Sequence, residues 1–157
     1  MPKTAIDILK HDHQEAKKLF EEVENAETDE ECEEKWDELA ADLKAHVTLE
    51  KELFYPAITA KLGDAMPAEV LDDQEEEETE GTAMLEELDG DELEGDAWME
   101  KFLEFKDIVL KHAVEVEEGK LFPVVQQKMS KAELEQLGAK MEKRHKELHQ
   151  QLEAEAR

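Results

Sequence analysis

Cysteine is nearly absent from this 157-residue chain: Cys32, in the acidic stretch TDEECEEK, is the only one. No intrachain disulfide can form, so nothing here calls for an oxidising compartment. Its acidic neighbours disfavour the thiolate, which argues against a reactive role. Positive charge is also scarce, with 19 Lys and Arg against 45 Asp and Glu and a formal net charge of -26. Such a surface repels phosphate backbones and anionic membranes and attracts cations, so neither nucleic acid nor membrane is expected as a partner. No apolar run is long enough to span a bilayer, and MPKTAIDILKHDH lacks the apolar stretch of a secretory signal. The expectation is a soluble, cytoplasmic protein. A Ser-His-Asp set, a glycine loop that would cradle phosphate and a basic aromatic patch are all missing. DGDELEGD at 89–96 fails as a calcium loop because Leu93 stands where an Asp or Asn is needed.

What is present is apolar spacing of three and four, the signature of helices, with no convincing strand pattern. A first helix is expected from Thr4 to about Glu24, with Ile6, Leu9, His13, Ala16, Phe20 and Val23 on one stripe and Thr4 with Asp7 as its cap. A second carries Trp36, Leu39, Leu43, His46, Glu50, Leu53 and Ala57 and ends near KLGDAMP. A weaker third covers about Ala68 to Leu88, with Leu71, Glu78, Leu85 and Leu88 in phase. The fourth starts near Ala97 and carries Trp98, Phe102, Phe105, Val109, His112 and Val116. Leu110, Val114, Glu117 and Leu121 lie on its adjoining edge, and Pro123 falls near its end. Ser130 and Glu133 open a shorter fifth helix with a capping box. The expected fold is all-α: an antiparallel, up-down-up-down four-helix bundle over 1–128, with an added C-terminal helix over 129–157 packed on it or extending from it.

Several polar residues fall where the stripes demand apolar ones. His13, His46, Glu50, Glu78 and His112 are in phase with the core, and Glu117 lies on its flank between Val114 and Leu121. Burying such groups without partners costs several kcal/mol each, and placing carboxylates together costs more. A metal ion resolves the conflict, because imidazole and carboxylate become ligands. His46 and Glu50, four apart, stack on one helical face. His112 and Glu117, five apart, diverge by roughly 140° on an α-helix. There is also a faint internal repeat: H-x3-E in HVTLEKELFYP and H-x4-E in HAVEVEEGKLFP each finish on an aromatic and a proline.

DILKHDHQEAKKLF, LAADLKAHVTLEKELFYPAI and VLKHAVEVEEGKLFPVV resemble the hemerythrin-like, or HHE cation-binding, family, in order and spacing over about residues 4–128. The resemblance implies a bundle holding a non-haem di-iron centre with carboxylate and oxo or hydroxo bridges, although Mn or Zn would tolerate the same ligands. It implies His13 as the first-helix ligand, His46 and His112 as terminal ligands, and Glu50 and Glu117 as bridges. The third helix departs from the family pattern, because no histidine lies between 46 and 112. Glu78 is the substitute by phase, with Glu75 one turn earlier as second choice. The other reading is a solvated acidic run.

Three His and three Glu make a harder ligand set than that of the His-rich oxygen carriers and favour the higher oxidation state. The expected function is therefore binding or reducing O2, H2O2 or NO, with peroxidase- or catalase-like, ferroxidase or NO-consuming activity. The alternatives are non-catalytic oxygen or iron sensing, carriage or storage, and a metal-free interaction bundle. A monomer or weak homodimer is expected. Tyr55 and Trp36 lie near enough in sequence for electron transfer, though both also suit core packing. His11 faces away from the stripe. His145 and His149, four apart on the tail helix, have metal-ligand spacing but equally suit packing at a helix edge.

Overall fold

The computed structural model describes residues 3–90 and 93–156, the side chains of 73, 75, 77, 78 and 152–156 excepted. Its helices are α1 (Ala5–Glu24), α2 (Asp29–Leu49), α3 (Tyr55–Leu62), α4 (Ala68–Glu76), α5 (Thr82–Asp89), α6 (Gly95–Lys111), α7 (Phe122–Lys128) and α8 (Lys131–Ala156). Three of the junctions are continuous π-helical stretches: Glu50–Phe54 joins α2 to α3, Glu77–Gly81 joins α4 to α5, and His112–Leu121 joins α6 to α7. The result is the expected antiparallel four-helix bundle with a fifth helix, and no strand occurs among the described residues. Residues of α1 pack against α2, α6 and α8, while α4 lies along His112–Leu121 and α5 along α6.

Local chemistry sets the helix starts. Thr4 Oγ1 accepts from the Asp7 backbone N–H at 3.1 Å, and the Asp7 carboxylate accepts from the Thr4 N–H at 3.1 Å. Ser130 and Glu133 repeat this exchange ahead of α8. Each such cap satisfies donors that the first turn leaves orphaned, worth about 1 kcal/mol. Thr28 caps α2 through the Glu31 N–H.

The tyrosine–proline and phenylalanine–proline pairs do not end their helices. Pro56 and Pro123 sit in the first turns of α3 and α7, each just after a π-helical stretch. Proline breaks an α-helix because it lacks the N–H and crowds the carbonyl four residues back. The π stretch re-registers the backbone bonds immediately upstream, so the chain runs on to Leu62 and Lys128.

Two side chains read as core are exposed. Val114 is 55% exposed and Leu71 46%. Val114 lies within a π-helical stretch, where the wider turn slips the α-helical phase, and the Glu77–Gly81 stretch separates Leu71 from the Leu85 and Leu88 it was aligned with. Val116 and Glu117 are buried on the fourth helix instead, and Val70 on the third.

At 26 residues, α8 is the longest α-helix rather than a short one. It lies on the bundle through Leu134, Leu137, Met141 and Leu148, all buried. Arg144 grips Glu52 with two nitrogens, at 2.8 and 3.2 Å. Gly138 permits the closest approach: a Cβ there would sit 2.5 Å from the Lys3 carbonyl oxygen and 3.0 Å from the Ala5 nitrogen.

The buried apolar residues form two clusters. One contains Ile6, Leu9, Leu49, Phe54, Ile58 and Phe122, and the other Phe20, Trp36, Leu39, Leu43, Phe102 and Phe105. On α1 the switch between clusters falls at His13, on α2 between Leu43 and Ala45, just before His46, and on the fourth helix between His112 and Glu117. A polar layer therefore crosses the bundle at one depth. Trp36 belongs to the cluster away from this layer's carboxylates, stacked edge-on to Trp98 and donating to Asp89 at 3.2 Å.

Candidate metal centre

The polar layer is compact. His13, His46, Glu50 and Glu117 each offer one ligand atom, and these atoms all lie within 4.8 Å of one another. His13 Nε2 is 2.9 Å from Glu117 Oε1, and His46 Nε2 contacts Glu50 Oε1 closely. His112 completes the group, its Nε2 lying 3.6 Å from Glu117 Oε1 and 4.0 Å from Glu50 Oε2. His13, Glu50, His112 and Glu117 are buried, and His46 is 12% exposed.

The five-residue spacing of His112 and Glu117 does not separate them as an α-helix would. Both belong to the π-helical stretch, whose backbone bonds span five residues, so residues five apart stand about one turn apart and face the same way.

Two residues the sequence reading did not place hold this group. Glu118 Oε2 lies 3.0 Å from His13 Nδ1, and Asp12 Oδ2 lies 3.1 Å from His46 Nδ1. Carboxylates on the outward nitrogens fix each ring's orientation and leave the Nε2 atoms turned inward. Both were adjacent to ligand candidates in HDH and VEEG, and that adjacency was the available signal. The Tyr55 hydroxyl donates to Glu117 Oε2 at 3.1 Å, so Tyr55, an accessory candidate by sequence, touches the cluster directly.

The electrostatics are those of a tight ionic cluster. Burial opposes charge on both His46 and Glu117. For His46, the Glu50 charge and the Asp12 and Glu50 hydrogen bonds prevail and hold the imidazole well above its usual pKa. For Glu117, hydrogen bonds from His112 and His13 prevail and hold the carboxyl well below its usual range. Glu50 Oε1 is fully buried against His46 Nε2. Inward imidazole nitrogens and carboxylate oxygens, brought together from separate helices, are the donor chemistry that suits a first-row divalent cation, and the residues fit one. A cation bound here would compete with a proton for the His46 ring.

Glu75 and Glu78 sit on the third helix next to and within Glu77–Gly81, but their side chains lie outside the described residues. The count back from Leu85 and Leu88 to Glu78 crosses this π-helical stretch, so α-helical phase alone does not fix its direction. His11 is exposed, as its position two before His13 implies. His145 is half-buried and His149 exposed, and both lie near enough to Asp42 for their charges to lower its pKa. Burial outweighs them, however, and Asp42 remains above its usual value. Neither histidine joins the central cluster. Burial, then the Asp29 charge, pushes the Cys32 thiol up, consistent with an unreactive cysteine.

An all-helical bundle with a buried His and carboxylate cluster at mid-depth defines a helical-bundle protein of cation-binding type. The sequence pattern of the hemerythrin HHE cation binding domain matches residues 4–125, and the chain belongs to that family. A crystal structure of a hemerythrin HHE cation binding domain-containing protein from Mycobacterium kansasii superposes with a TM-score of 0.76 at 26% identity, covering 93% of this chain and 87% of that one. Among curated proteins, the chain is 25% identical over 150 residues to a DNA nickase of Nostoc sp. (strain PCC 7120 / SAG 25.82 / UTEX 2576). That match covers 96% of this chain and 41% of the nickase, so the chain spans about two fifths of that relative's length. No helix among the described residues is long and apolar enough to cross a membrane.

Proposed function

We propose that this chain holds a non-haem di-iron centre and binds or reduces a small ligand there: O2, H2O2 or NO. The observation that carries the reading is the convergence of ligand atoms from His13, His46, Glu50 and Glu117 within 4.8 Å, at one depth between two apolar clusters. His13, His46 and His112 would supply nitrogen ligands, and Glu50 and Glu117 carboxylates reaching between two ions. Glu78 is the third-helix candidate, with Glu75 behind it. Bound iron supplies Lewis-acid and redox chemistry.

The chain's own residues supply position and dryness. Asp12 and Glu118 lock the His46 and His13 rings through their outward nitrogens. Tyr55 fixes one oxygen of Glu117, and the Glu117 oxygen nearest His13 and His112 would be free to ligate a cation. Phe122 stacks on His13 with ring centroids 6.1 Å apart, closing that side to water. The carboxylate-rich set favours the oxidised metal, which points to turnover more than to reversible carriage.

Non-catalytic sensing, carriage or storage would use the same ligands and differs only in turnover. Strand cutting, the activity in the Nostoc relative's name, is not carried over: a net charge of -26 opposes approach to DNA. The test is H2O2 and NO consumption by the iron-loaded chain beside Glu50→Ala and His112→Ala. Turnover by the parent and its loss in both variants supports the reading. Equal turnover in all three contradicts it.

A further inference from the structure

A cavity of about 200 Å³ opens beside the three imidazoles. His13, His46 and His112 form its floor, while neither Glu50, Glu117 nor Tyr55 lines it. Ions held between the histidines and the glutamates would therefore leave most of this space clear. Its walls are apolar, made by Ala16, Leu43, Val47, Val109, Leu110 and Ala113. The polar lining is completed by Asp12, which contacts His46 Nδ1, with His11, Glu15, Asp42 and, reaching over from α8, His145.

This volume exceeds what a diatomic or peroxide molecule needs, since a water occupies about 30 Å³ and a cavity of about 150 Å³ holds a benzene ring. The floor offers ring faces and edges rather than hydrogen bonds, because both nitrogens of His13 and of His46 face carboxylates. Apolar walls and imidazole edges suit an aromatic or compact aliphatic body. The carboxylates of Asp12, Glu15 and Asp42 repel an anion, while His145 and the Asp42 oxygens suit one hydroxyl.

We propose that this cavity binds a neutral organic molecule of single-ring size, its apolar body against the imidazoles and one hydroxyl toward Asp42 and His145. The site goes beyond the di-iron reading and does not depend on it, since the cavity walls need no metal to stand. The chain would thus hold an organic ligand beside the metal position, in reach of whatever chemistry occurs there.

The experiment uses phenol as probe and benzoate as its anionic counterpart of similar size, titrated into the full chain both chelator-treated and iron-loaded and followed by methyl NMR. Phenol should bind with Kd on the order of 1 mM in the chelator-treated chain. The shifts should centre on Leu43, Val47, Val109 and Leu110, and benzoate should bind at least about tenfold more weakly, a penalty of the size that like charges impose across a binding site. Ala16→Leu and Ala113→Leu each fill the cavity from a different helix, and each should weaken phenol roughly tenfold or more, the loss expected when side-chain atoms occupy the space a ligand needs. Retained helical circular dichroism keeps these variants interpretable. Asp42→Asn should narrow the gap between phenol and benzoate. The proposal is overturned if the phenol shifts map elsewhere, if neither filling variant weakens phenol, or if benzoate binds as well as phenol. Failure to load iron would overturn the metal reading and leave this result standing, so the two are separable.

Discussion

His112 Nε2 and Glu117 Oε1 lie 3.6 Å apart although five residues separate them, because the helix between them is π-helical. The same stretch turns Val114 out to solvent. If the extra residue exists only to fill the wider turn, removing Val114 should restore an α-helix with the pair four apart, the spacing His46 and Glu50 already use. The Val114 deletion should keep its helical circular dichroism and retain most of its bound metal. Glu117→Ala should lose at least about half, within the 10- to 100-fold range in affinity seen when a metal's support is removed. Loss of metal in the deletion equal to that in Glu117→Ala would show that the π geometry itself is required.

Tyr55 tests how Glu117 is held. Tyr55→Phe removes a buried donor to a charged acceptor, an interaction worth about 1.5–3 kcal/mol. The urea midpoint of metal-free protein should fall accordingly, and a competitive metal titration should show affinity reduced roughly tenfold. Unchanged affinity would mean that Tyr55 packs beside the site without positioning it.

Gly138 tests the seat of α8. A Cβ there meets backbone atoms at Lys3 and Ala5, which cannot rotate away. Gly138→Ala should destabilise the protein by about 1–3 kcal/mol in urea unfolding, the range for overpacking. An unchanged midpoint would indicate that α8 does not close on the start of α1.

The Lys61 ammonium, then the Ser130 backbone N–H, holds the Glu133 carboxyl down at about 2. A depressed carboxylate adds stability that is fully present above its unfolded value of about 4.3 and fades as pH falls toward 2. A side-chain NMR titration should find the low value in the parent, and Lys61→Met should move it up toward the ordinary range. A Glu133 midpoint near 4 in the parent would contradict the Lys61–Glu133 pairing.

Much of the architecture was legible because strict α-helical periodicity governs α1, α2 and α6. That periodicity put His13, His46, Glu50 and His112 among core positions, and the structure brings them to one depth. Where the helix turns π, the rule fails. Val114 was read as core and Glu117 as divergent from His112 through the one-residue slip of the His112–Leu121 stretch, and the Glu77–Gly81 stretch parts Leu71 from the leucines it was aligned with. Asp12 and Glu118 escaped notice for another reason: they act through the far nitrogens of rings whose orientation only packing determines. The reach of α8 was underestimated because its polar length, rich in Lys and Glu, shows few apolar residues beyond Leu134, Leu137, Met141 and Leu148.

The central claim is the metal centre, and metal content after anaerobic iron loading and desalting tests it most directly. About two iron ions per chain are expected, with near-ultraviolet absorption that His46→Ala and Glu50→Ala both diminish. Fewer than about one iron per chain in the parent, or a content unchanged by both substitutions, would contradict the account.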